Sequence, residues 1–292
     1  MKYKVIHTTK YEYGREVDLC HNQLRLLPRN TFEQNILQNK ITVIPTPNIY
    51  TKRVDFFGNN VHYFSIEQPH EELLVTSQSE VEKTNMFSNS IPFQNSISWE
   101  SVKDAIASTN PAYFDARMYA FSSHFANVSI QSNEYAKPSF ERGRPILDAV
   151  SHLTNRIYNE FKYVPGYTTI STPVQTVIME KKGVCQDFAH VAISCIRSMG
   201  LAARYVSGYL ETIPQPGKTK LKGADASHAW FSVYVPQSGW HDFDPTNNLI
   251  PGQRHITIGW GRDFADVTPL KGVVLSSSWH SLKVEVDVER IG

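Results

Sequence analysis

Cys185 stands in Gly183-Val184-Cys185-Gln186-Asp187-Phe188-Ala189-His190, a thiol at the threshold of a segment whose apolar residues recur at helical spacing. Val184, Phe188, Val191, Ala192, Cys195, Ile196 and Met199 share one face, and Gly200 follows where a helix would stop. The spacing predicts a helix that opens at the thiol just after a glycine turn. The unsatisfied N–H groups and positive dipole end of a helix favour thiolate over thiol, and the thiolate is the attacking species. Cys185 is therefore a candidate nucleophile, whereas Cys195 falls on the apolar stripe and reads as a small buried hydrophobe.

A nucleophilic thiol needs a base and a group to orient that base. Ser227-His228-Ala229-Trp230-Phe231-Ser232-Val233-Tyr234-Val235 alternates as a strand, with His228, Trp230, Ser232 and Tyr234 on one face and Ala229, Phe231, Val233 and Val235 on the other. A turn at Gln237-Ser238-Gly239 leads into Trp240-His241-Asp242-Phe243-Asp244, a second short strand that Pro245 ends. Such a hairpin would bring a carboxylate to the imidazole. His228 is the candidate base and Asp244 the candidate orienter, with Asp242 on the same face as rival; an aspartate before proline is also an ordinary turn residue. His190 lies about 140° around an ideal helix from Cys185 and so points away from it, and His241 falls on the face opposite Asp242 and Asp244. Trp230 and Tyr234, with Tyr163, Tyr167 and Trp240, read either as a groove for an extended peptide or, more commonly for aromatics, as core.

Taken in order, Gly-Val-Cys-Gln-Asp-Phe-Ala-His, Ser-His-Ala-Trp and Asp-Phe-Asp-Pro-Thr resemble the core of the bacterial transglutaminase-like cysteine enzymes. Tyr3 to His7, Leu24-Arg25-Leu26-Leu27-Pro28-Arg29 and Asp55-Phe56-Phe57-Gly58-Asn59 resemble the β-rich region that precedes this core in bacteria, and Gly261 to Val267 resembles the segment that follows it. The resemblance implies an α+β fold, with a papain-like, transglutaminase-like core behind an N-terminal antiparallel β-sandwich. It also implies Cys185 as nucleophile, His228 as general base and Asp244 as orienter, in a triad performing thiol-dependent acyl transfer or hydrolysis at peptide or protein amides. The alternatives are small-acyl transfer to an amine, as in the arylamine acetyltransferases, and a non-catalytic binding module on the same core.

No cofactor or metal is expected. Cys20, Cys185 and Cys195 form no Cys-x-x-Cys pair, His-Glu-x-x-His is absent, and there is no Asp-x-Asp-x-Asp-Gly loop. The calcium dependence of animal transglutaminases and the zinc of peptide-N-glycanases are accordingly not expected here. With 292 residues, 41% hydrophobic content and net charge +1, the chain is long enough for two cores and lacks the basic excess of a nucleic-acid binder. The partner expected is a peptide or protein substrate, with neither nucleic acid nor membrane; oligomeric state stays open. Met1 to His7 alternates like a strand with no long apolar stretch, and the cysteine count is odd, so the expected location is cytoplasmic.

Two regions are expected, a β-rich domain over 1–85 and a catalytic domain over 98–292 that ends in a C-terminal β segment, joined by an Asn/Ser-rich linker over 84–97. Helical patterns run over Trp99–Ala107, Pro111–Ser123, Ile146–Phe161 and Val174–Lys182. Ser132–Arg144 reads as a polar, solvated connection, with a lid as the alternative. A Lys/Gly/Pro-rich loop over Pro214–Asp225 precedes the His228 strand, and the last residues alternate, with Leu282, Val284, Val286 and Val288 against charged neighbours.

Overall fold

The computed structural model describes residues 1–84, 97–213, 223, 225–275 and 279–292. Most of the expected linker and of the loop before His228 therefore lies outside the described residues. The chain begins with β1 (Lys2–Val17), β2 (Cys20–Leu24), β3 (Gln34–Ile44), β4 (Ile49–Val54), β5 (Asn60–Ile66) and β6 (His70–Lys83). These contribute to two four-stranded antiparallel sheets enclosing a core of Val17, Leu24, Leu26, Phe64, Ile66, Leu73 and Val75. Alternate residues of β1 turn inward, as period-two burial requires when one face is wet.

The helical region holds α1 (Trp99–Ala107), α2 (Phe114–Arg117), α3 (Ile130–Ala136), α4 (Ile146–Glu160), the two-residue strand β7 (Lys162–Tyr163), α5 (Val174–Glu180), β8 (Lys182–Gly183) and α6 (Cys185–Ser198). Then come β9 (Ala203–Leu210), β10 (Ala226–Val235), β11 (Gly239–Phe243), β12 (His255–Gly261), the short α7 (Phe264–Val267), β13 (Leu270–Val274) and β14 (His280–Arg290). Strands β11-β10-β9-β12 form one antiparallel sheet. Ala229, Phe231 and Val233 of β10 pack with Phe188, Val191, Ala192 and Ile196 of α6 in one core, so α6 is anchored along its length and its first turn is held against the sheet.

Three sequence expectations change. Residues 132–144 are no solvated connection. Ser129 caps α3 by accepting from the N–H of Ser132 at 3.1 Å, and Tyr135, Ala136 and Phe140 are buried in the core of α6. The segment reads as polar because so short a helix needs few apolar anchors. Over 111–123 the single helix expected is a turn of 3-10 helix, the four-residue α2 and another 3-10 turn. The C-terminal β segment does not extend the catalytic sheet: β14 pairs with β1 from Tyr3↔Arg290 to Tyr13↔His280, and β13 pairs with β2. A strand's alternation shows that it has a buried face but not which edge it joins.

The two units share packing. Tyr3, Val5 and Val288 of the sandwich meet Tyr209, Ile256 and Ile258 of the catalytic sheet in a third apolar cluster. Strand β12 would leave backbone groups bare along its outer side, and two side-chain amides from the sandwich serve there as strand partners. Gln34 accepts from Thr257 N–H at 2.9 Å and donates to Thr257 C=O at 2.8 Å; Asn59 accepts from Trp260 N–H at 3.0 Å and donates to Trp260 C=O at 2.8 Å. A buried, unpaired peptide group costs about 1–3 kcal/mol, so these contacts hold β12 in place.

Candidate active site

Cys185 is the first residue of α6 and the one half-buried cysteine; Cys20 and Cys195 are free thiols sealed in cores, and burial pushes both of their pKa values up. The turn before it is tightly specified. Asp187 Oδ2 accepts from Val184 N–H at 2.8 Å and from the Thr168 hydroxyl at 2.6 Å, closing the first turn with a carboxylate where the helix dipole favours one. Gly183 is extended rather than a turn glycine, for β8 runs parallel to β7 with Gly183 opposite Tyr163. It must be glycine because a Cβ there would lie 2.6 Å from Asp187 Oδ2.

His228, 8% exposed on β10, has its Nε2 at 2.7 Å from Oδ2 of Asp244, which is fully buried. A carboxylate only accepts, so Nε2 carries the proton and Nδ1 is left free, with the Cys185 thiol close enough to act on the imidazole. Burial works against the imidazolium, but the Asp244 and Cys185 contacts outweigh it and raise the His228 pKa to about 10. Asp244 also feels the cost of burial, and the hydrogen bonds from His228, His255 and Asn247 hold its carboxyl well below the usual range. The sequence-selected Cys185, His228 and Asp244 thus come together, from one helix and one hairpin.

The two readings of Asp244 apply to different oxygens. Its Oδ1 accepts from the N–H groups of Thr246 at 2.9 Å and Asn247 at 3.2 Å, the work of a turn aspartate, while Oδ2 faces the imidazole. The rival, Asp242, is occupied elsewhere, accepting from Trp230 Nε1 at 2.9 Å and from the Ser232 hydroxyl. His190 faces away from the thiol, its Nε2 accepting from Phe264 N–H at 3.2 Å, and His241 contacts Ser238. Of the aromatics, Trp230 is core, Tyr234 and Trp240 are half-buried against the core, and Tyr163 and Tyr167 are exposed. Tyr163 lies near enough to the thiol for Cys185 to help raise its phenol pKa, after burial.

Sequence reasoning did not single out His255 or Asn247. Asn247 Nδ2 donates to Asp244 Oδ2 at 2.7 Å. His255, buried at the start of β12, accepts the Gly252 N–H at Nδ1 and so presents Nε2–H to Asp244 Oδ2 at 3.2 Å. That arrangement suits a neutral imidazole, and burial accordingly lowers the His255 pKa. Its ring also stands edge-on to Trp230 at 5.2 Å, and Trp230 covers Gly208, the residue opposite His228 in the sheet. The only local signal was a histidine opening an alternating run.

His228, Asp244 and His255 lie close enough together to suggest metal ligands. The 2.7 Å between Nε2 of His228 and Oδ2 of Asp244 is nevertheless a hydrogen-bond distance, shorter than the roughly 3.3 Å separating two ligands on a tetrahedral zinc with bonds of about 2.0 Å. The cluster is complete as a hydrogen-bonded chain.

Residues 3–82 match the family described as the bacterial transglutaminase-like N-terminal region, and residues 133–245, which include Cys185, His228 and Asp244, match the transglutaminase-like superfamily. An uncharacterized protein of Mycobacterium tuberculosis is 38% identical over 296 residues, covering 98% of this chain and 92% of the relative. The chain belongs to the transglutaminase-like superfamily. An uncharacterized protein of Mycobacterium leprae is 31% identical over 293 residues, covering 99% of this chain and 98% of its own length. Among solved structures, a proposed cysteine protease from Cytophaga hutchinsonii superposes with a TM-score of 0.73 at 22% identity, covering 100% of this chain and 92% of that one. That likeness of fold runs through both the sandwich and the core.

Proposed function

We propose that this transglutaminase-like protein is a cysteine enzyme acting on peptide or protein amide bonds, with Cys185 as nucleophile, His228 as acid and base, and Asp244 as orienter. The observation that carries the reading is one imidazole shared between a half-buried thiol at a helix start and a buried carboxylate 2.7 Å away. Cys185 Sγ adds to the amide carbonyl, and the oxyanion is met by the Cys185 N–H, which has no acceptor within α6. The C–N bond then breaks as His228 passes its proton to the leaving nitrogen, leaving a thioester on Cys185. Water, losing a proton to His228, releases a carboxylic acid; a primary amine in its place releases a new amide. Hydrolysis is the favoured outcome, because no feature among the described residues of the site marks an amine pocket. The exposed Tyr163 beside the thiol supports an extended peptide as substrate.

Profiling a peptide library by mass spectrometry, with and without a primary amine, tests this. Cleavage without amine supports the peptidase branch, and amine-dependent mass addition supports transamidation. Cys185→Ala is expected to lower either rate by several orders of magnitude. Turnover by that variant at the wild-type rate would refute the nucleophile, and an acyl-enzyme formed only from small thioesters would favour the acetyltransferase-like alternative.

A further inference from the structure

Away from Cys185, a cavity of about 720 Å3 opens between the sandwich and the sheet of β9–β12. Its volume lies within the range usual for small-molecule sites. Its walls include Lys83, at the end of β6, and Arg204, on β9, together with Trp240, Trp260, Ile250 and His255.

Lys83 is only 6% exposed, yet among the described residues its ammonium makes no hydrogen bond and no ion pair. Burying an ammonium without a partner is costly, and such groups persist where they serve something beyond the fold. Burial lowers the Lys83 pKa, while Glu33 and Asp242 act on it only through space. Arg204 is the second cation. Its guanidinium stacks on Trp240 at 4.4 Å and on Trp260 at 3.9 Å, and its Nε donates to Ser232 at 3.2 Å. The stacking fixes the plane of the fork and leaves its two terminal nitrogens as donors directed along that plane, the geometry that grips a carboxylate in two places. Both cations feel Asp242, so they converge on one region. Asp242 spends its oxygens on Trp230 and Ser232. The cavity therefore offers spare donors beside aromatic walls, and the carboxylates of Asp242 and Glu33 in the same lining disfavour a ligand with more than one negative charge.

We propose that this cavity is a binding site for a small organic monocarboxylate with an apolar or aromatic body, its carboxylate held by Lys83 and Arg204 and its body lying against Trp240, Trp260 and Ile250. This goes beyond the proposed acyl-transfer chemistry and does not depend on it.

The test is calorimetric titration of the Cys185→Ala protein, in which turnover cannot interfere. 3-Phenylpropionate is expected to bind saturably, with 3-phenylpropionamide at least tenfold weaker and inorganic phosphate without effect. Adding Lys83→Met should weaken 3-phenylpropionate at least tenfold while raising the melting temperature, since a buried unpaired ammonium is removed. Lys83→Arg should keep the affinity within a few-fold. The proposal is overturned if the amide binds as well as the acid, if phosphate competes, if Lys83→Met binds unchanged, or if Lys83→Arg loses as much affinity as Lys83→Met.

Discussion

Replacing Asp244 by asparagine keeps the size of the side chain and removes its charge, and the effect should be read at His228. A pKa of about 10 against the ordinary 6.5 corresponds to about 5 kcal/mol in favour of the imidazolium. Burial opposes that preference, so the Asp244 and Cys185 contacts together must supply more than the net figure. The hydrogen bond to Asp244 is the largest of the raising contributions. An adjacent opposite charge moves a pKa by about 1–3 units, so Asp244→Asn should bring His228 from about 10 down to between about 7 and 9. Cys185→Ala, which leaves the carboxylate in place, should keep it above the ordinary value. Proton NMR titration of the imidazole Cε1–H, assigned by its disappearance in His228→Gln, measures both. The sign is fixed by the geometry: losing the anion disfavours the cation, so the pH range over which the His228 imidazolium persists contracts from its alkaline side. Wild-type titration at or below 6.5 would mean that burial outweighs the carboxylate, and an unchanged value in Asp244→Asn would mean that the 2.7 Å contact carries no charge interaction. Either result refutes the reasoning.

His255→Phe keeps a ring against Trp230 but removes a donor to Asp244; a hydrogen bond to a charged group is worth about 1.5–3 kcal/mol, so turnover should fall roughly 10- to 100-fold in kcat with KM little changed, and equal kcat values would exclude the contact from the mechanism. Gly208→Val should cost about 3 kcal/mol or more in urea unfolding, since a Cβ there meets the Trp230 ring and the Ile256 carbonyl oxygen, each at 2.3 Å. His7, buried against Thr9 and Tyr209, has its pKa lowered by burial to about 4. The folded chain then binds fewer protons than the unfolded one between pH 6.5 and 4, so this contribution is intact above pH 6.5 and is lost as pH falls through that window. In His7→Gln the drop in unfolding free energy from pH 7.5 to 4.5 should shrink by about 2.5 kcal/mol, and an identical drop would contradict it.

What could be read directly were features written in local periodicity. The stripe from Val184 to Met199 placed Cys185 at the start of α6, and alternation over Ser227–Val235 placed His228 on a strand, because helix and strand geometry repeat within a few residues. Pro245 limited the second strand, which ends at Phe243 with Asp244 just beyond it in an isolated bridge to Leu249. The same logic failed where burial rests on few anchors, as in α3, whose capping serines looked like loop.

The sequence alone thus determined which side chains are candidates for the chemistry and which elements present them, since each is encoded by neighbours in the chain. The tertiary structure decided what surrounds them: His255 and Asn247 on Asp244, Gln34 and Asn59 on the bare side of β12, the return of β13 and β14 to the sandwich, and the cavity in which Lys83 has no partner among the described residues. These contacts join residues far apart along the chain or depend on which surfaces meet, and no repeat within a segment records its distant partner.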